Sequence, residues 1–353
     1  MTISYNWLSS YLPVTVAPER LSHILTSIGL EVESMEPYEA IKGGLKGLVI
    51  GQVLETAPHP NADKLVLTQV TLGGAETLQI VCGAPNVAAG QKVIVAPEGS
   101  TIFPKVGEPM TMKNARIRGM ESHGMICAED EIGFGDSHAG ILVLPDEAPL
   151  GASAADYFQP YEDIIYEIGL TPNRSDAMSH WGVARDVCAY LSHHDGSPVH
   201  PARPKVTLPV PGAALPIQII VENSDTCPRY SGICIAGVRV APSPRWLQDR
   251  LQSIGVRPIN NIVDITNFIL HETGQPLHAF DYDAIEGRQV IVKNAASDTP
   301  FKSLDSKVRT LSGEDLMICN TAGVMCIAGV FGGFDSGVSA NTTNIFLESA
   351  FFD

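Results

Sequence analysis

Positive charge is scarce in this chain: 23 Lys and Arg stand against 39 Asp and Glu, a formal net charge of −16 at pH 7. That balance argues against a protein whose whole surface grips nucleic acid through phosphates. Any RNA contact must be confined to one face, or depend on shape and loops. Composition alone points away from RNA. Paired cysteines are also missing. The seven cysteines, at 82, 127, 188, 227, 234, 319 and 326, are odd in number, include no CxxC and have no His at zinc-finger spacing. They read as reduced, mostly buried thiols of a cytoplasmic protein, and no metal site is expected. No apolar run reaches the roughly 18 residues needed to span a bilayer. The opening MTISYNWLSSYLP has no basic run ahead of an apolar stretch, so neither a secretory signal nor a membrane partner is expected.

What is present is the composition of a soluble multidomain protein, with 44% hydrophobic and 18% charged residues. A length of 353 residues exceeds one hydrophobic core and predicts two or three domains. A strand or turn over Ile3–Leu12 precedes a helix that Pro18 opens, with Leu21, Ile24, Leu25 and Ile28 at helical spacing and Gly29 as its stop. From about Leu45 the period changes to short β-rich runs, VIGQVL, LVLTQV, LQIV and KVIV, separated by turn signals. Such strands without intervening helices suggest a small barrel closing near Gly140–Pro149. Ser179 is expected to cap a helix striped by Val183, Val187 and Leu191. The Pro-rich stretch 196–212 reads as an extended linker. Beyond it, strands at Ile217–Val221 and Ile233–Val240 lead to a helix capped by Ser243. A second helix is expected over Ile262–His271, and strands dominate thereafter, an α+β pattern.

Two groups of residues could carry chemistry. The barrel's HPNADKL loop and its later KNARIRG and ESHGM strings offer His59, Asn61, Lys64, Lys113, Arg116 and Arg118. Small barrels bind oligonucleotides on one strand face and adjacent loops. On the residues alone, docking of a protein or a purely architectural role is the more ordinary reading of such a barrel. The second group is Arg257, Asn261, Thr266, Asn267 and His278, followed by the Gly-rich AGVFGG around Gly332 and by Glu348 after an apolar run. Taken singly, the asparagines could cap a helix, His278 could be a satisfied core histidine, and Glu348 could face solvent.

The strings VLETAPHPNADKL, QIVCGAPNV and ARIRGMESHGMICAEDEIG resemble the tRNA-binding barrel shared by several synthetase subunits. The flanking MTISYNWLSSYLP, SIGLEVE and EIGLTPNRSDAMSHWGVARDV resemble the β subunit of bacterial phenylalanyl-tRNA synthetase. RPINNIVDITNFILHETGQPLHAFDYD, AGVFGGFDSGV and FLESAFFD resemble its proofreading module. The likeness covers essentially the whole chain and implies an N-terminal portion of that longer subunit. It also implies an architecture: an OB-fold barrel (41–149) inserted in a discontinuous α+β domain (1–40 with 150–195), then the linker 196–212 and an α+β proofreading domain at 213–353. The family continues past the point where this chain ends, so an incomplete pocket is an expectation for the isolated piece.

The resemblance further implies hydrolytic editing of Tyr-tRNA(Phe). Phe and Tyr differ by one hydroxyl, which an apolar pocket rejects only about a hundredfold, so a second hydrolytic site is needed. Glu348 would accept the tyrosine phenol. His278 and Arg257 would lie near the terminal adenosine and the ester, Thr266 and Asn267 would line the amino-acid end, Asn261 would bind substrate as well, and Gly332 would allow close backbone approach. Whether His278 is a general base or a positioning group is left open. No cofactor is expected in this chain, because ATP and Mg²⁺ belong with Phe activation on the α subunit. The partners implied are that subunit, in a heterotetramer, and tRNA(Phe). Two other readings compete: a non-catalytic tRNA-binding scaffold, and an unrelated metabolite-binding α+β protein bearing a barrel.

Overall fold

The computed structural model describes residues 1–203, 206–213 and 215–353. Pro204 and Lys205 of the expected linker, and Ala214 after it, lie outside the described residues; the rest of 196–213 contains neither helix nor strand. The chain forms two compact units, one of Met1–Glu36 with Ile164–Asp353 and one of Pro37–Asp163. Both helices and sheets are present throughout, so the fold is mixed α+β.

In the first unit, the strand Thr2–Ser4 pairs antiparallel with Glu162–Gly169, which Glu31–Glu39 flanks on its other side. The segment expected to be strand or turn up to Leu12 instead turns helical at Tyr5–Ser9. The reason is local: the Ser4 hydroxyl accepts from the Trp7 amide at 3.0 Å and caps that helix. Helix Pro18–Ser27 begins at its proline. It ends in a left-handed Gly29 (φ 84°), where the Leu30 amide reaches back to the Leu25 carbonyl. Ser179 caps helix His180–His194 through the Gly182 amide. The apolar stripes of these helices meet the sheet in one core that includes Ile3, Trp7, Leu21, Leu25, Tyr166, Val183 and Leu191.

The same unit continues through two further sheets and a pair of helices, Arg245–Ser253 and Asn261–Thr273. A five-stranded sheet runs in the order Gln218–Val221, Gln289–Asn294, Leu316–Cys319, Val324–Ile327, Phe331–Gly332. A three-stranded antiparallel sheet has Asn344–Phe351 between Arg229–Ala236 and His278–Asp281. Side-chain alternation gives that smaller sheet two different faces. Phe280 and Phe346 pack with Val290, Ile318 and Met325 of the larger sheet. Ala279 and Ile345, on the reverse face, pack with Ile262 of the second helix. The order of layers is therefore helix, small sheet, large sheet.

Ser243 does not cap the first of these helices. Pro244 holds that position without a side-chain bond. The Ser243 hydroxyl donates instead to Asp264 Oδ2 at 2.5 Å, because Asp264 is fully buried and needs donors. Its other oxygen accepts from the Ile259 amide at 2.8 Å. Asn260 caps the second helix through the Ile262 and Val263 amides.

This helix pair is tied to the N-terminal core through aromatic rings. Trp7 is sandwiched between His180 and Phe268, with centroids 4.1 and 4.6 Å away. Its indole N–H donates to Tyr11, whose hydroxyl donates to Glu272. His180 is wholly buried. It accepts the Ser4 amide proton at Nε2 and donates from Nδ1 to the His271 carbonyl, and burial pushes its pKa down to about 3.

The second unit contains a sheet in the order Gly124–Ile126, Lys92–Pro97, Val49–Pro58, Val66–Thr71, Thr77–Cys82. Val143–Leu144 adds to Lys92–Pro97. The long strand Val49–Pro58 pairs with Lys92–Pro97 through its first residues and with Val66–Thr71 through the rest, with a bulge between Val53 and Glu55. The ends nearly meet, since the His123 amide donates to the Gln79 carbonyl and the Val81 amide to the Ser122 hydroxyl. Inside this nearly closed barrel lie Val53, Val70, Ile80, Val93, Val95 and Ile126.

Candidate functional site

His278 and Glu348 are direct partners in the register of two adjacent antiparallel strands. Paired residues leave the same face of a sheet with Cβ atoms about 5 Å apart. Both side chains line a cleft of about 670 Å³ together with Gly332, Cys326, Gln275 and Phe352. The cleft opens between the inner face of the small sheet and the Val324–Gly332 edge of the large one. The structure thus brings together three of the predicted residues: His278, Gly332 and Glu348.

Glu348 is 6% exposed, and burial raises its carboxyl to about 7, against the opposing pull of one hydrogen bond. That bond comes from Tyr230, whose hydroxyl donates to Glu348 Oε2 at 2.6 Å. Burial, then the nearby carboxylate, drives the Tyr230 phenol well above its ordinary range. Oε1 receives no hydrogen bond from the described residues. It is not sealed either, since Thr226 Oγ1 is the only fully enclosed unpartnered side-chain oxygen or nitrogen among them. A carboxylate oxygen in contact with the cleft and free of protein donors can accept one from a ligand.

His278 rests edge-on against Phe280, centroids 4.5 Å apart. Neither ring nitrogen has a hydrogen-bond partner among the described residues, and burial alone lowers its pKa to about 4. At pH 7 it is a neutral imidazole with a free lone pair. Gly332 gives the ring its place: a Cβ there would stand 2.9 Å from His278 Cε1 and 2.8 Å from Leu304 Cδ1.

The other four predicted residues are not brought to this cleft. Asn261, Thr266 and Asn267 belong to the helix packed on the reverse face of the small sheet. Asn261 holds the Arg239 carbonyl and the Ala241 amide, and Thr266 bonds back to the Val263 carbonyl. Arg257 is exposed in the connection between the two helices. Tyr230 escaped the sequence reading, and nothing in its local pattern marks it. Only the strand register places it diagonally across from Glu348, beside Gly232.

The barrel's candidate residues divide in the same way. His59 is 6% exposed, accepts the Asn61 amide proton at Nδ1 and donates from Nε2 to the Ile117 carbonyl at 3.1 Å. Asn61 donates to the Arg118 carbonyl. Both therefore fasten the hairpin of Ala115–Ile117 and Met120–Ser122, whose tip carries Arg118 (φ 50°) and Gly119 (φ 96°). Lys64, Lys113, Arg116 and Arg118 are exposed, and none forms an ion pair with the described residues. Two strings distant in sequence thus meet where His59 and Asn61 hold Ile117 and Arg118.

Residues 48–153 match the family described as a putative tRNA binding domain, and residues 226–353 match the B3/4 domain. Over its full length the chain is 54% identical to the phenylalanine–tRNA ligase β subunit of Bacteroides thetaiotaomicron, covering 43% of that protein. It is 53% identical to that of Porphyromonas gingivalis, again over 43% of its length, and 44% identical to that of Geobacter metallireducens over 42%. The chain spans less than half the length of these relatives. A solved N-terminal fragment of a phenylalanyl-tRNA synthetase β subunit from Pyrococcus horikoshii aligns at 17% identity and a TM-score of 0.31, over 54% of this chain and 56% of that one.

Proposed function

We propose that this chain, recognised over its whole length as phenylalanine–tRNA ligase β-subunit sequence, binds tRNA(Phe) through its barrel and hydrolyses Tyr-tRNA(Phe) in the His278–Glu348 cleft. The observation that carries this reading is the pairing of a buried carboxylate, one oxygen free, with an unpartnered neutral imidazole at one cleft wall. Tyrosine differs from phenylalanine by a phenol O–H, which Glu348 Oε1 can accept. With phenylalanine bound, that desolvated oxygen stays unpaired, and the penalty discriminates against the correct amino acid. The ester then loses its acyl group to water. The water oxygen adds to the acyl carbon, the bond to the ribose oxygen breaks, and the proton returns to that ribose oxygen. His278 offers its lone pair to the attacking water, as base or as positioning group.

The finer domain arrangement belongs to the same proposal. An OB-fold barrel over 41–149 would interrupt an N-terminal α+β domain, with proofreading assigned to 213–353. The wider assembly does too: an α subunit that activates Phe with ATP and Mg²⁺, a heterotetramer, and a cytoplasmic location. Among the described residues no helix is long and apolar enough to cross a membrane. The exposed Lys64, Lys113, Arg116 and Arg118, without ion pairs among the described residues, support RNA contact by the barrel of an otherwise acidic chain.

Mischarged Tyr-tRNA(Phe) incubated with the chain tests the reading. Release of tyrosine above background, lost in Glu348→Ala and His278→Ala, is the expected result. An unmutated chain that binds tRNA yet releases nothing would leave the scaffold reading in its place.

A further inference from the structure

Glu348 has a second neighbour that the proposed chemistry leaves unexplained. Tyr230 belongs to the edge strand Arg229–Ala236, where its register partner is Ala350, and the residue directly opposite Glu348 is Gly232. A Cβ at Gly232 would stand 2.2 Å from the Phe346 ring, so the position directly opposite Glu348 carries no side chain and the ring covers it. The Tyr230 hydroxyl reaches Oε2 at 2.6 Å, yet Tyr230 is not one of the residues lining the cleft that Glu348 faces. The phenol therefore approaches along the same sheet face, from the edge strand beside the cleft.

We propose that Tyr230 is a positioning residue that determines the specificity of this site: by holding Glu348 Oε2 from outside the cleft, it presents Oε1 as the single acceptor for a ligand phenol. The inference rests on the deacylase reading above and names the group that makes its discrimination work. A buried glutamate without that donor would be free to rotate. It would also be more readily protonated, because the Tyr230 bond is the one influence that favours its ionised form. A protonated carboxyl no longer offers a charged acceptor, and the charge-assisted preference for a phenol donor is lost.

The two thiols, the imidazole and the phenol near Glu348 do not change charge near neutrality. Burial raises the Cys227 and Cys326 thiols and lowers His278 to about 4, and Tyr230 itself is pushed far up. Asp353 lines the same cleft.

The test compares Tyr230→Phe with the unmutated chain in two measurements. Hydrolysis of Tyr-tRNA(Phe) and Phe-tRNA(Phe) is followed from pH 5.5 to 9, and the Glu348 carboxyl is titrated by infrared difference spectroscopy against Glu348→Gln. The expected result is a carboxyl midpoint displaced upward by about one pH unit. Discrimination between the two esters should fall roughly tenfold at pH 7 and recover at pH 9, the equivalent of one charge-assisted hydrogen bond. An equal loss of rate on both esters with an unmoved pH profile would make Tyr230 merely structural and overturn the proposal. A carboxyl titration indifferent to Tyr230→Phe overturns it too, whatever the hydrolysis rates. If the unmutated chain hydrolyses neither ester while the infrared midpoint shifts, it is the deacylase reading that fails, and the hold of Tyr230 on Glu348 stands without its assigned purpose.

Discussion

Replacing Glu348 by glutamine separates the two things its burial does. In the folded chain the carboxyl titrates at about 7, against an ordinary 4.5. A raised carboxyl contributes its stability in full below its unfolded value. That stability is lost as pH climbs towards 7, because the unfolded chain then releases a proton that the native state keeps. Each pH unit between the two values is worth about 1.4 kcal/mol, so the ionised side chain costs the fold about 3 kcal/mol above pH 7. Glu348→Gln removes that penalty. Urea unfolding should find the variant more stable than the unmutated chain at pH 8 by about 2–3 kcal/mol, with the two nearly equal at pH 4.5. Function should move the opposite way. Tyr230 would claim the amide oxygen, leaving the NH₂ group towards the cleft, a donor where an acceptor stood. Loss of a hydrogen bond to a charged group is worth about 1.5–3 kcal/mol, so preference for the tyrosyl ester should fall roughly 10- to 150-fold and lose its dependence on pH between 6 and 8. A stability difference that does not grow with pH, or a pH-dependent preference surviving in the glutamine variant, would refute this reasoning.

Other perturbations test other parts of the molecule. Gly332→Ala places a methyl against the His278 ring and Leu304; hydrolysis should drop at least about tenfold while the thermal midpoint moves only a few degrees, as read by circular dichroism. His180 is held neutral down to about pH 3, against 6.5 when unfolded, so it contributes stability above pH 6.5 that is lost as pH falls towards 3. Urea midpoints should decline over that window, and His180→Phe should flatten the decline. Lys113→Ala with Arg116→Ala should weaken tRNA binding and reduce its logarithmic salt slope by about 1.4–1.8 for two lost phosphate contacts. His59→Ala should also weaken binding, but with protection from amide exchange lost across residues 115–122, which the two cation deletions should leave intact.

Local signals fixed the ends of several helices, but not the strands Glu31–Glu39 and Glu162–Gly169. Pro18, Gly29 and Ser179 act where their backbone chemistry predicts, because each controls bonds within four residues of itself. The change from helical to alternating periodicity near Leu45 was legible for the same reason. Ser243 misled because a distant group outbid the local one: Asp264, 21 residues away and fully buried, offers a charged acceptor that a helix N-terminus cannot match. Ser4 misled in the opposite direction. A single capping bond turns an apparent strand into a helix, and periodicity over so few residues has no power to reveal it.

The candidate site shows where this kind of reading stops. His278, Gly332 and Glu348 were named as residues whose chemistry could serve a pocket, and the register of two strands makes them neighbours. Asn261, Thr266 and Asn267 have chemistry just as suitable and stand fewer than 20 residues before His278, yet one sheet lies between. Proximity along the chain says nothing about which face of a sheet a helix covers, since either packing satisfies the same apolar stripe. Tyr230 is the converse case. It lies more than a hundred residues from Glu348, and its role depends on strand Asn344–Phe351 pairing with both neighbours in this register. What makes the cleft selective is therefore a property of register, and one slipped residue in that pairing would turn Glu348 towards the helix and abolish it while leaving every local signal unchanged.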